Sequence, residues 1–160
     1  MRNKAQAVIT DLFIALFIFL LLVSTIIFIW NRYSTRFNED LEYKDMQLKA
    51  LEISDLLIKT QGYPENWELD PSSVDILGLA SSDRVLSEEK INALILNITY
   101  QNATMFLGLP TYDFYLRLSY LNGTMIQDYG LSSTSELSVS VKRIVSYKNE
   151  KVIFETRIWK

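Results

Sequence analysis

MRNKAQAVITDLFIALFIFLLLVSTIIFIWNRY, residues 1–33, governs how the rest of the chain is read. Leu12 to Trp30 is an apolar run in which Ser24 and Thr25 are the polar members. As a helix at about 1.5 Å per residue it reaches about 29 Å, close to the hydrocarbon thickness of a bilayer. A secretory signal core has roughly 7–15 apolar residues followed by a small-x-small cleavage site. This run is longer, and no such site follows it. Trp30-Asn31-Arg32-Tyr33 instead has the composition of an interfacial belt with an anchoring charge. A helix apolar on every side is hard to bury in a chain of 160 residues, so the run reads as membrane-spanning. Arg2 and Lys4 flank one end, and Arg32, Arg36 and Lys44 the other, so the positive-inside comparison is almost a draw. Asp11 stands at the entrance of the run, where a carboxylate wants a cationic partner or a helix start to cap.

No Gly or Pro occurs before Gly62. The segment NEDLEYKDMQLKALEISDLLIKT, residues 38–60, carries Tyr43, Met46, Ala50, Ile53 and Leu57 in steps of three and four, one apolar stripe of an amphipathic helix. Asp45 with Lys49, and Asp55 with Lys59, stand at i,i+4 in the favourable acid-to-base order. One helix is therefore expected from about residue 8 to about residue 60, with Asn31 to Asn38 as its weakest stretch. It ends at QGYPENWELDPSS, where Gly62 suits a C-cap and Pro64 cannot continue the ladder. VDILGLASSDRVL reads as a short extended piece and a loop. Ser87 N-caps a helix in SEEKINALILN whose Ile91, Leu94 and Ile95 face inward, and a second short helix falls within about residues 98–107.

The period then changes to two. Phe114, Leu116, Leu118 and Tyr120 share a face, and Asn122-Gly123 is a strong hairpin signal. After a polar stretch, Gly130 to Ser135, Leu137, Val139 and Val141 alternate with polar residues. Val152, Phe154, Thr156 and Ile158 form one face of a last strand beyond Lys148 to Lys151. The expected fold is α+β: a long N-terminal helix, membrane-spanning then amphipathic, packed on a four-stranded antiparallel sheet made of two sequential hairpins.

Composition narrows the function. With no Cys and no His, disulfides, thiolate metal sites and Ser-His-Asp or Cys-His pairs are excluded. A formal net charge of −3 argues against nucleic-acid binding, which wants a concentrated basic face. Asp70, Asp75, Asp83, Glu88 and Glu89 match no calcium loop, and phosphate-cradling glycine motifs are absent, so no metal or cofactor is expected. No paired carboxylates announce a hydrolase, and the chain reads as a non-enzyme. Tyr112, Phe114, Tyr115 and Tyr120 are aromatic enough to bind a sugar or a neighbouring subunit, but strand aromatics more often cover a core. Asn97-Ile98-Thr99, Asn102-Ala103-Thr104 and Asn122-Gly123-Thr124 are N-glycosylation sequons, all C-terminal to the apolar run, which favours that side as external. At Asn122 a hairpin turn wants Asn-Gly in any case.

The order of a long helix, lipid-apolar then amphipathic, followed by an antiparallel sheet is similar to that of type IV pilin-like proteins. Lys4-Ala5-Gln6-Ala7, directly before the apolar helix, resembles the class III signal peptide of archaeal pilins. GYPENWE, ILGLASSDRVLSEEK and RIVSYKNEKVIFETRIW also resemble uncharacterised archaeal proteins of this pilin-like type. The resemblance implies a leader over residues 1–6, cut on the cytoplasmic side by a prepilin-type peptidase, and a transmembrane and assembly helix over 7–30. It further implies an amphipathic continuation over 31–61 and an extracytoplasmic pilin-like domain over 62–160. Pilins carry an acid about five residues into the mature chain. A cut between Ala5 and Gln6 makes Asp11 the sixth residue, and a cut after Gln6 makes it the fifth. The implied role of Asp11 is assembly, pairing with the freed amino terminus of a neighbouring subunit. The function implied is that of a structural subunit, minor or accessory, of a type IV pilus-like surface filament or its assembly complex. Its partners would be the membrane, other pilin-like subunits and the peptidase; the sequence points to no nucleic acid and identifies no small-molecule substrate. The alternative is an uncleaved single-pass membrane protein with an external ligand- or partner-binding domain.

Overall fold

The computed structural model describes residues 2–132 and 137–160, and side chains from residue 11 onward except that of Asn38. The first helix, α1, is Arg2–Lys59. It is helical through residues 31–38, where weakness was expected: the poor helix formers there are interspersed with Arg32 and Arg36, and no Gly or Pro stops propagation. The chain divides into two compact units, residues 1–42 and residues 43–160.

In the second unit α1 contributes Met46, Ala50, Ile53, Leu57 and Ile58 to one apolar core, each 2% exposed or less. The expected stripe is thus the buried face, although Tyr43 at its start is exposed. Asp55 pairs with Lys59 at 2.7 Å as the i,i+4 spacing predicts. Lys49 instead pairs with Glu52 at 3.4 Å, because Asp45 is taken by the Tyr112 hydroxyl, which donates to it at 2.7 Å.

The end of α1 leaves carbonyls without intrahelical donors. A small hairpin, β1 (Ala80–Ser82) and β2 (Val85–Leu86), meets this need. Leu79 N–H donates to Leu57 O at 2.9 Å, Arg84 N–H to Ile58 O at 2.9 Å, and Ala80 N–H to Thr60 O at 3.1 Å. The contact demands Gly78: a Cβ there would run into Gly62 N and Thr60 O. Between helix and hairpin two 3-10 turns, Trp67–Leu69 and Pro71–Ser73, bury Trp67 completely, and its indole N–H donates to Gly78 O at 2.9 Å.

Helix α2 (Glu88–Asn97) has the expected Ser87 cap, whose hydroxyl accepts from Lys90 N–H, and it buries Ile91 and Leu94 while Ile95 packs half-buried beside them. Helix α3 (Tyr100–Phe106) is capped by Thr99. Tyr100 joins it to the sheet: its ring stacks on Phe114 at 5.0 Å, its hydroxyl donates to Asp113 at 2.8 Å and accepts from Phe114 N–H at 3.1 Å.

Four long strands follow: β3 (Asp113–Tyr120), β4 (Met125–Gly130), β5 (Ser138–Tyr147) and β6 (Glu150–Trp159). Both expected hairpins form. Gly123 takes φ +88° in the first turn, and Lys148 and Asn149 take φ 52° and 64° in the second, the positive pair that a two-residue turn matching strand twist requires. Phe114, Leu116, Leu118, Val139, Val152, Phe154, Thr156 and Ile158 are buried. Tyr120 keeps the expected face, opposite Val152 of β6, but at the end of β3 it is exposed; the register shift between β3 and β4 lies on β4, at Ile126.

The sheet itself differs from expectation. It has six strands in the order β1-β2-β5-β6-β3-β4, and it is mixed, because β2 runs parallel to β5. The four antiparallel strands are its larger part. The additions are three and two residues long, drawn to the sheet by the end of α1 rather than by any alternation of their own.

Candidate functional site

The feature of this chain that calls for a partner is the surface of α1 in the first unit. Leu12, Phe13, Phe17, Phe19, Leu22, Ile26 and Phe28 are each about three-fifths exposed, and Ile14, Leu16, Ile18, Leu20, Leu21, Ile27 and Ile29 on the other sides of the helix about half exposed. None of the most apolar window of α1 is buried, and the helix is long and apolar enough to cross a membrane. Thr25 hides its hydroxyl by donating to Leu21 O at 2.8 Å, the usual way such a side chain becomes compatible with lipid. Trp30 and Tyr33, about 73% and 72% exposed, close the run together with Arg32 and Arg36, amphipathic side chains suited to a headgroup layer. An apolar surface of this extent is unstable in water and is compatible with a membrane location.

Asp11 lies in α1 at the head of this surface and is exposed. Lys4, Ala5, Gln6 and Ala7 fall within the helical span, but their side chains lie outside the described residues. Asn97 ends α2, Asn102 sits in the first turn of α3 and Asn122 in the β3–β4 turn, and all three are exposed. The Asn122 side-chain oxygen accepts from Thr124 N–H at 2.9 Å, which accounts for that residue by the turn alone. The Thr99 hydroxyl of the first sequon accepts from Asn102 N–H at 3.4 Å, so the first two sequons adjoin one helix start.

In the second unit the perturbed groups hold the fold together. Burial pushes the Lys90 ammonium down, with Glu68 and Glu65 partly offsetting it; its Nζ donates to Gln61 O at 2.6 Å and Glu65 O at 2.7 Å. Burial raises Tyr100 to about 12. Burial would also raise Glu155, but hydrogen bonds from Arg157 and Ser140, both 2.8 Å, and the charge of Lys142 hold it below the usual glutamate range. Sequence reasoning missed Lys90 and Glu155, since a base early in a helix and an acid in a strand both read as solvated. Three of the five acids weighed for metal binding have protein partners: Asp70 accepts from Ser72, Glu88 pairs with Lys148 at 2.6 Å, and Glu89 accepts from Ser87 at 2.7 Å. Among the described residues no three Asp or Glu side chains converge as metal ligands would. The gap of about 20 Å³ lined by Leu79, Ile91, Leu94, Leu116 and Phe154 has room for about one water and none for a substrate.

No family model, no curated protein and no solved structure matches the chain.

Proposed function

We propose that this chain is a structural subunit of a pilin-like surface assembly, minor or accessory, held in the membrane by Leu12 to Trp30 until it joins a bundle of like helices. The observation that carries the reading is that α1 is apolar on every side over that run, whereas from Met46 onward the same helix gives one face to the core of an α+β domain. One helix thus serves two environments, lipid or other helices first and its own sheet second. Lys4 to Ala7 would be the processing site of a prepilin-type peptidase, with the N-terminus cytoplasmic and residues 62–160 outside. Asp11 would pair with a neighbour's freed amino terminus, since a carboxylate at the bilayer edge is held most cheaply by a cation beside it.

The test is the mature N-terminus, read by mass spectrometry of the membrane fraction. A chain beginning at Gln6 or Ala7 supports the reading. An intact Met1 overturns processing and leaves a single-pass anchor with an external binding domain. Sheared surface filaments that contain the protein support a subunit role, and Asp11→Ala is expected to reduce its incorporation at least tenfold. Unchanged incorporation removes Asp11 from assembly.

A further inference from the structure

Among the described residues, the β4 edge of the sheet and the part of β5 that β2 leaves uncovered end in complementary rows. Asp128 lies opposite Arg117, Arg117 opposite Glu155, and Glu155 opposite Lys142, so these four stand in one cross-strand row. Charge alternates along it, with an acid at the β4 edge and a base at the β5 edge. In the neighbouring row Met125 lies opposite Ser119, Ser119 opposite Ile153, and Ile153 opposite Ile144. Its two ends, Met125 and Ile144, are 52% and 63% exposed. The Lys142 side chain is 63% exposed, and Asp128, which accepts from the Tyr115 hydroxyl at 2.9 Å, is exposed as well.

The backbones are complementary too. β2 reaches β5 at Ser146, so among the described residues the earlier part of β5 is an open edge. Ser146 N–H donates to Arg84 O at 2.8 Å, away from β6, and strand alternation then turns the N–H and C=O of Ile144, Lys142 and Ser140 outward. On β4, Leu131 N–H donates inward to Phe114 O at 3.1 Å, so Gly130 and Asp128 turn theirs outward. Three successive antiparallel pairings separate β4 from β5, which makes the two edges antiparallel. A second copy laid edge to edge, with Lys142 opposite Asp128 and Ser140 opposite Gly130, therefore aligns donors with acceptors. It also continues the alternation of charge and, because β4 carries a bulge at Ile126, brings Ile144 beside Met125. A lysine on an open edge normally blocks strand addition, but in this register it meets an acid.

We propose that the β5 edge of one copy of this chain takes the β4 edge of another, extending the sheet from copy to copy. Two different edges meet, so the contact propagates instead of closing as a twofold dimer. It needs β4 and β5 alone, and stands whether or not α1 builds a filament.

The chain has no Cys, so introduced thiols are the only ones present. The full chain carrying Met125→Cys and Ile144→Cys is reconstituted in phosphatidylcholine vesicles and treated with a short bismaleimide. A ladder of dimers, trimers and larger species is expected, with each single-cysteine chain remaining monomeric. In the double-cysteine chain, Lys142→Glu or Asp128→Lys alone is expected to cut the cross-linked fraction at least fivefold, and mixing the two variants to restore it. Recovery on mixing separates lost charge complementarity from lost fold. A monomer band alone from the double-cysteine chain, a dimer from Ile144→Cys alone, or no recovery on mixing overturns the proposal.

Discussion

Glu155 lies on the sheet face turned away from Asp55 and Asn92 of the helices, yet it is 5% exposed, because Arg157, Ser140 and Lys142 close over it. A carboxylate so enclosed stabilises the fold only while ionised. Its pKa in the fold lies below the ordinary value, so the unfolded chain takes up the proton first as pH falls. The contribution is complete above the unfolded pKa and is lost as pH drops through the folded one. Glu155→Gln is therefore expected to cost about 1–3 kcal/mol at pH 7 and much less near pH 3, read as the gap between urea midpoints at the two values. Thr156, beside it in sequence but on the opposite face, is fully buried with no partner for its hydroxyl. Thr156→Val keeps the shape and removes the unmet group, and a gain of about 1 kcal/mol is expected in the same assay. Neither residue declares itself in the sequence. Alternation assigns each to a face, but only the neighbouring strands show that one face's acid is enclosed.

Among the elements, those that carry their own period were legible. β3 through β6 alternate over six to ten residues and are joined by turns with positive φ, so their hairpins could be read locally. β1 and β2 are too short for a period, and their parallel link to β5 is one pairing across more than fifty residues of chain, which no local pattern announces. Gly130 shows how close strand ends can depend on one residue. It holds φ +113°, and a Cβ there would strike Phe114 O. Gly130→Ala is expected to destabilise the second unit by about 2–4 kcal/mol, seen as an early loss of near-ultraviolet circular dichroism on heating. No such loss would mean that the β3–β4 end relaxes freely.

For the whole molecule, the apolar run is the feature read most directly from sequence, since length and composition alone define it. The use made of it was not legible in the same way, because a bilayer and a bundle of like helices favour the same residues. A membrane role has its own consequence. Phe17→Lys together with Leu21→Lys places two charges near the middle of the run, at about 2.5–3.5 kcal/mol each. The variant is expected to leave the membrane pellet for the alkaline wash, and retention would show that something other than lipid holds the helix. The candidate processing site stands on residue pattern alone, since a backbone helical throughout gives no sign of where a peptidase would cut.

The place of β6 in the sheet sets an order of events during synthesis. It lies between β5 and β3, so neither neighbour has its inner partner until residues 150–159 have been made. Leu12 to Trp30 leaves the ribosome roughly 120 residues sooner, an interval on the order of 6–24 s at ordinary elongation rates. A run that enters a membrane would therefore meet insertion machinery while the sheet is still open. Meanwhile β3, β4 and β5 wait with unpaired edges, exposed to proteases and to wrong partners. On the proposed membrane role, insertion would be committed first and folding last, and a ribosome stalled in the final strand would leave an anchored chain with no finished domain to present.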